Sequence, residues 1–137
     1  MLTKIILRNY TTFIKETAID FSATNYKFLN KENTYDGVTK GALFVGENAS
    51  GKTNAINAIN FLLRLLVSKD PILFNEYRSF YTSDPNFSIS YHFKIDGSSI
   101  IYDITMGMNE IVAERLSQDG AVLLSRKNKR AKYDIKV

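Results

Sequence analysis

The chain has no cysteine and one histidine among 137 residues. Without cysteine there is no disulfide framework and no thiolate zinc site, a composition that fits a reducing cytosol. The one histidine, His92, lacks the second histidine or carboxylate partner that a metal or acid–base role needs, so it reads as a packed residue of an alternating strand. Long apolar runs are missing too. The most apolar stretch, 61–67, is too short to span a bilayer and carries Arg64 in its middle. At the N-terminus Ile5-Ile6-Leu7 is short, flanked by Lys4 and Arg8, and followed by no small-residue cleavage site, which does not fit a secretory signal. A soluble, cytoplasmic protein with no membrane partner is the expectation.

Charge of either sign is also modest overall. The net charge is +4, and residues 126–137 alone carry +5, leaving −1 for the rest. Basicity therefore belongs to one short segment and not to the whole surface. Arg126, Lys127, Lys129, Arg130 and Lys132 surround a turn, where two readings stay open: contact with DNA phosphates, or a solvated hairpin tip. The rest of the composition, 45% hydrophobic and 23% charged, is that of an ordinary globular chain with room for one domain.

Strand-like segments dominate both ends. Residues 2–8 and 17–21 are β-prone and separated by the turn Asn9-Tyr10-Thr11-Thr12, which predicts a hairpin. Residues 22–40 are polar, with Asp36-Gly37 as a turn signal, and predict an irregular excursion. Residues 41–45 (Gly-Ala-Leu-Phe-Val) are apolar without alternation, which predicts a strand buried on both faces. Residues 52–68 follow with the spacing Ile56, Ile59, Leu63, Leu66, widened by Ala55, Ala58, Leu62 and Val67 into a helix packed on most sides. Asp70-Pro71 ends it. Residues 70–86 predict a short helix and a loop finishing at Asp84-Pro85-Asn86. From Phe87 the sequence alternates with period two: 87–95, the turn Asp96-Gly97, then 99–106, 110–116, 121–126 and 132–137, an antiparallel meander. Its aromatics Phe87, Tyr91, Phe93 and Tyr102 suit cross-strand packing better than single-strand stacking. Glu110 and Glu114 share a face without a partner and read as surface residues.

The segment Gly46-Glu47-Asn48-Ala49-Ser50-Gly51-Lys52-Thr53 carries the chemistry. It has the G-x-x-x-x-G-K-[ST] spacing between a predicted strand and a predicted helix. The glycines allow successive N–H groups to converge on an anion, and the helix adds its positive end. Lys52 then suits the β- and γ-phosphates, and the Thr53 hydroxyl suits Mg²⁺. Gly46, Asn48, Ala49, Ser50, Gly51, Lys52 and Thr53 are the candidate residues for ATP, with Thr53 as the metal ligand. Asn48 either braces the loop near the γ-phosphate or caps a turn.

With Asn54 to Leu62 appended, this block resembles the "GxNxSGKS/T-N-hh-xAI-xFL" pattern of ABC-type ATPase heads. It is most similar to bacterial AAA-type ATPases grouped with RecF, SMC and the overcoming-lysogenization-defect nucleases, many of them in phage defence. Residues 2–21 resemble the family's opening, with Asn9 to Phe13 in its NF-x-x-F place, and residues 111–116 and 123–126 resemble its "IxxExL…lxxR". The resemblance implies an α/β P-loop NTPase lobe with α+β character: a strand–loop–helix unit plus an antiparallel meander. It also implies a homodimer formed by the complete head, and it places Asn9, Thr11 and Thr12 as weak candidates near adenine and ribose.

Departures from the family are as informative. No apolar run ends in the paired carboxylates of a Walker B strand, which supply a Mg²⁺ contact and the base that activates water. The Leu-Ser-Gly-Gly signature and a switch histidine are missing, and Gln118, the one glutamine, does not match the family's glutamine loop. No catalytic residue is therefore assigned. The expectation is one partial ATPase domain, truncated at Lys136-Val137, with 1–69 holding the phosphate loop, 70–86 connecting and 87–137 forming the meander. The alternative is a stand-alone, non-hydrolytic nucleotide-binding module whose basic hairpin contacts nucleic acid or a protein. A kinase or GTPase fits poorly, since the chain has too few βα units and no Asn-Lys-x-Asp.

Overall fold

The computed structural model describes residues 1–25 and 30–133. Strands β1 (Leu2–Arg8) and β2 (Thr17–Asp20) form the expected hairpin, with Lys4 opposite Asp20 and Leu7 opposite Thr17. Within the connection 9–16 the chain turns between Tyr10 and Phe13, with Asn9 and Thr11 in left-handed conformations at φ 53° and 47°. The excursion after β2 is partly ordered. Helix α1 (Asn30–Asn33) leads into a two-residue hairpin of β3 (Thr34–Tyr35) and β4 (Val38–Thr39), turning at Asp36-Gly37; residues 26–29 lie outside the described part.

Helix α2 (Lys52–Val67) follows, then one 3-10 turn at Phe74–Tyr77, where a short helix was expected. The meander comprises β5 (Phe87–Ile95), β6 (Ser98–Met106), β7 (Ile111–Gln118), β8 (Ala121–Lys127) and β9 (Arg130–Tyr133). The last of these covers the start of the strand expected at 132–137, whose residues 134–137 lie outside the described part. One seven-stranded sheet runs β2-β1-β5-β6-β7-β8-β9, and among the described residues every pairing in it is antiparallel. The fold is mixed α and β, dominated by this sheet.

Period-two alternation gives the sheet two unlike faces. Ile5, Leu7, Ile89, Tyr91, Ile104 and Met106 fall on one, which α2 covers with Ala58, Phe61 and Leu62. Phe61 is the centre of this contact, with ring centroids 4.7 Å from Tyr77 and 6.0 Å from Phe87. Burying a side chain of this kind stabilises by about 1.5–3 kcal/mol. The Tyr91 hydroxyl reaches the helix and donates to the Ala58 carbonyl at 2.7 Å. Further along this inner face the lining turns polar: the Tyr102 hydroxyl donates to Glu114, and Arg126 Nη2 lies 2.7 Å from Glu114 Oε2. Glu114 is 15% exposed, so it is a half-buried ion-pair member and not the surface residue that strand alternation alone suggested.

Two expectations fail around α2. Residues 41–45 do not form a strand, and Leu43 and Val45 are 86% and 79% exposed. A strand buried on both faces needs a neighbouring backbone to take its N–H and C=O groups, and no described residue pairs with this run. Phe44 is the half-buried exception. It lines a groove of about 430 Å³ with Leu2, Phe21, Ile56 and Ile59. Likewise α2 is packed on one side, not on most sides: Ala55, Ala58, Phe61 and Leu62 are buried, while Leu63, Leu66 and Val67 are exposed. The sheet covers one face of the helix, and no described element covers the other.

Candidate functional site: the 46–53 turn

The chain enters this segment without regular structure and bends between Glu47 and Ser50, where the Ser50 N–H donates to the Glu47 carbonyl at 3.3 Å. Ala49 sits at φ 64°, a left-handed conformation that costs a residue with a Cβ about 1–2 kcal/mol. Gly51 is left-handed as well, at φ 90° and ψ 6°, and caps α2. A Cβ there would lie 3.1 Å from Thr12 Oγ1 and 3.2 Å from Phe13 Cζ. Both backbone conformation and close approach therefore require glycine at 51.

Helix α2 starts at Lys52 with no side-chain cap. Its first intrahelical bond beyond the cap runs from the Ala55 N–H to the Gly51 carbonyl, at 2.9 Å. The N–H groups of Lys52, Thr53 and Asn54 have no acceptor inside the helix, and the positive end of its dipole lies beside them. The Lys52 ammonium bends back over the turn, donating to the Gly46 carbonyl at 2.7 Å, the Glu47 carbonyl at 2.5 Å and Ser50 Oγ at 3.3 Å. One cation thus pins the start of the loop to its end. Asn48, Ser50 and Thr53 are exposed around it. An anion seated here would meet backbone donors, a helix end and an ammonium that can exchange loop oxygens for ligand oxygens.

The weaker candidates separate. Thr12 is brought to the site, accepting from Asn54 Nδ2 at 3.2 Å beside Gly51. Thr11 is half-buried, and its hydroxyl donates to the Tyr10 carbonyl at 2.9 Å. Asn9 lies in the interior, 2% exposed. Its amide donates to the Asp84 and Asn86 carbonyls at 3.0 and 2.7 Å and accepts from Thr82 Oγ1 at 2.6 Å, so its polar atoms hold the 82–86 loop. Asn54, which sequence reasoning passed over, is the residue that joins the two turns. Its place one step after Thr53 in the helix was the available signal.

The basic segment is split by the pleat. Arg126 points to the inner face and its ion pair with Glu114, whereas Lys127 and its partner Arg130 fall on the outer face. A further cluster was not legible: Ser90, His92 and Asp103 meet on the outer face of β5 and β6. Ser90 Oγ donates to Asp103 Oδ1 at 2.5 Å and lies 3.1 Å from His92 Nε2. The hydroxyl bridges the two other groups, whereas a nucleophilic triad places the imidazole between hydroxyl and carboxylate. Partial burial holds the His92 pKa below its ordinary value, opposed by Asp103. Among the described residues no group of three His, Cys, Asp or Glu is placed to hold a metal, and no helix is long and apolar enough to cross a membrane. No family model matches the chain, and no curated protein matches it either.

Proposed function

We propose that residues 46–53 bind the phosphates of ATP with Mg²⁺. The observation that carries the proposal is a left-handed Gly51 opening a helix with no side-chain cap, whose first residue, Lys52, folds its ammonium across the loop. In the bound state the backbone N–H groups and Lys52 take the phosphate oxygens, and the Thr53 hydroxyl ligates the metal. Thr12 and Asn54 border the same opening and contact the nucleotide's ribose side. These parts form the nucleotide-binding lobe of an ABC-type ATPase head, a P-loop NTPase fold, working in the cytoplasm.

The exposed apolar side chains Leu43, Val45, Leu63, Leu66 and Val67 favour this larger head over a stand-alone module. In such a head further βα units pair with 41–45 and cover the outer side of α2. Turnover then depends on carboxylates that this chain lacks and on a second copy, so the chain alone binds nucleotide without appreciable hydrolysis.

Thermal unfolding with ATP, ADP and AMP, each with Mg²⁺, tests the phosphate assignment. A ligand at a hundredfold excess over its Kd stabilises by about 2.7 kcal/mol. ATP and ADP are expected to raise the midpoint and AMP to leave it unchanged. Equal stabilisation by AMP would remove the β- and γ-phosphates from the site.

A further inference from the structure

The pairing registers align side chains across the outer face into rows. One row runs Arg8, Ser88, Thr105, Ala113, Lys127, Arg130, each directly opposite the next on β1, β5, β6, β7, β8 and β9. The adjacent row runs Ser90, Asp103, Arg115, Ser125, Lys132. Between them they hold five cations, and the Asp103 carboxylate accepts the Ser90 hydroxyl. Carboxylates stand at the margins: Glu110 beside the Lys127–Arg130 turn, Glu16 and Asp84 beside Arg8, and Asp20, which pairs with Lys4. Arg8, Arg115, Lys127, Arg130 and Lys132 are all exposed. Among the described residues, the ion pairs use Lys4, Lys94 and Arg126 and none of these five.

From this alignment we propose that the outer sheet face binds the phosphate backbone of duplex nucleic acid. Six strands at about 4.8 Å make the first row roughly 24 Å long, the length of roughly seven base pairs at about 3.4 Å each. Between the cations stand Ser88, Thr105 and Ser125, short hydroxyls that donate to phosphate without holding the duplex away. Aromatic side chains, which single strands need as stacking platforms, lie on the opposite face: Tyr91, Tyr102 and Phe93 share the side of the core. A six-stranded face is too broad for a groove, so contact is with the backbone and independent of sequence. The cation set differs from the linear basic run: Arg126 is withdrawn to the inner face, and Arg8 and Arg115 enter from distant sequence.

The proposal is independent of nucleotide binding and is tested without ATP or Mg²⁺. Fluorescence anisotropy of a labelled duplex of about 20 base pairs, of arbitrary sequence, is titrated with the chain at several salt concentrations. Binding is expected to weaken with salt at a log–log slope of roughly −4.5, from about 0.9 for each of five neutralised phosphates. Arg115→Glu and Lys127→Glu should each lower affinity roughly tenfold, as expected when a phosphate contact becomes a repulsion. Lys69→Glu, the same charge change just beyond the end of α2, should leave it within about twofold; circular dichroism of each variant checks folding. Equal weakening by all three variants would reduce the effect to net charge and overturn the assignment. So would tighter binding to the single strand, or binding to phosphatidylserine vesicles with none to the duplex.

Discussion

Two apolar, strand-like segments of the protein, 87–95 and 41–45, differ in outcome. Residues 87–95 are apolar and β-prone, and they form β5 between β1 and β6. Residues 41–45 are at least as apolar and remain irregular, with Leu43 and Val45 exposed. The helix shows the same contrast around its own axis, Phe61 at 0% exposure against Leu66 at 65%. Apolar sequence nominates a strand or a buried face, and a partner surface decides. A segment with strand-forming sequence and no strand partner is where a further piece of structure is expected to dock, and this is the ground for our proposal of a larger head.

The contrast breaks most sharply under truncation of matched residues. Phe61→Ala removes a ring packed against Tyr77 and Phe87 and should cost about 3–5 kcal/mol in urea unfolding. Relief of loop strain should be smaller and of opposite sign. Ala49→Gly removes the Cβ from a residue at φ 64° and should stabilise by about 0.5–1 kcal/mol after the entropy of glycine is deducted. On the exposed face, Leu66→Ser should change stability by less than about 0.5 kcal/mol. If it costs as much as Phe61→Ala, the far side of α2 is buried and the contrast fails.

The smallest effect is on pH dependence. Burial lowers the His92 pKa, with Lys4 acting the same way and Asp103 and Asp20 opposing. As pH falls through about 6.5, the unfolded chain protonates this histidine before the folded one does. The contribution is therefore complete above that pH and is lost as pH drops towards the lowered folded value. His92→Gln should flatten the stability profile over this interval. An unchanged profile would place the sensitivity elsewhere.

Sequence made local features legible and left their partners hidden. The Asp96-Gly97 turn and the alternation from Phe87 located the meander, because turn chemistry and period two are properties of adjacent residues. The G-x-x-x-x-G-K-T spacing located a glycine-started helix for the same reason. Asn9 resembled a nucleotide-side residue, yet its hydrogen bonds go to Thr82, Asp84 and Asn86, more than seventy positions away. Arg126 counted as part of a basic run until the pleat turned it towards Glu114. In both cases the deciding neighbour lay elsewhere in the sequence, brought close by a loop for Asn9 and by strand register for Arg126.

The central claim is that Lys52 and the turn it spans hold a nucleotide's phosphates. Calorimetric titration of ATP with Mg²⁺ into the folded chain, beside the Lys52→Ala variant, tests it most directly. Saturable binding to the parent chain that disappears in the variant is the result expected. Equal binding by both, or no binding by the correctly folded parent, would contradict it.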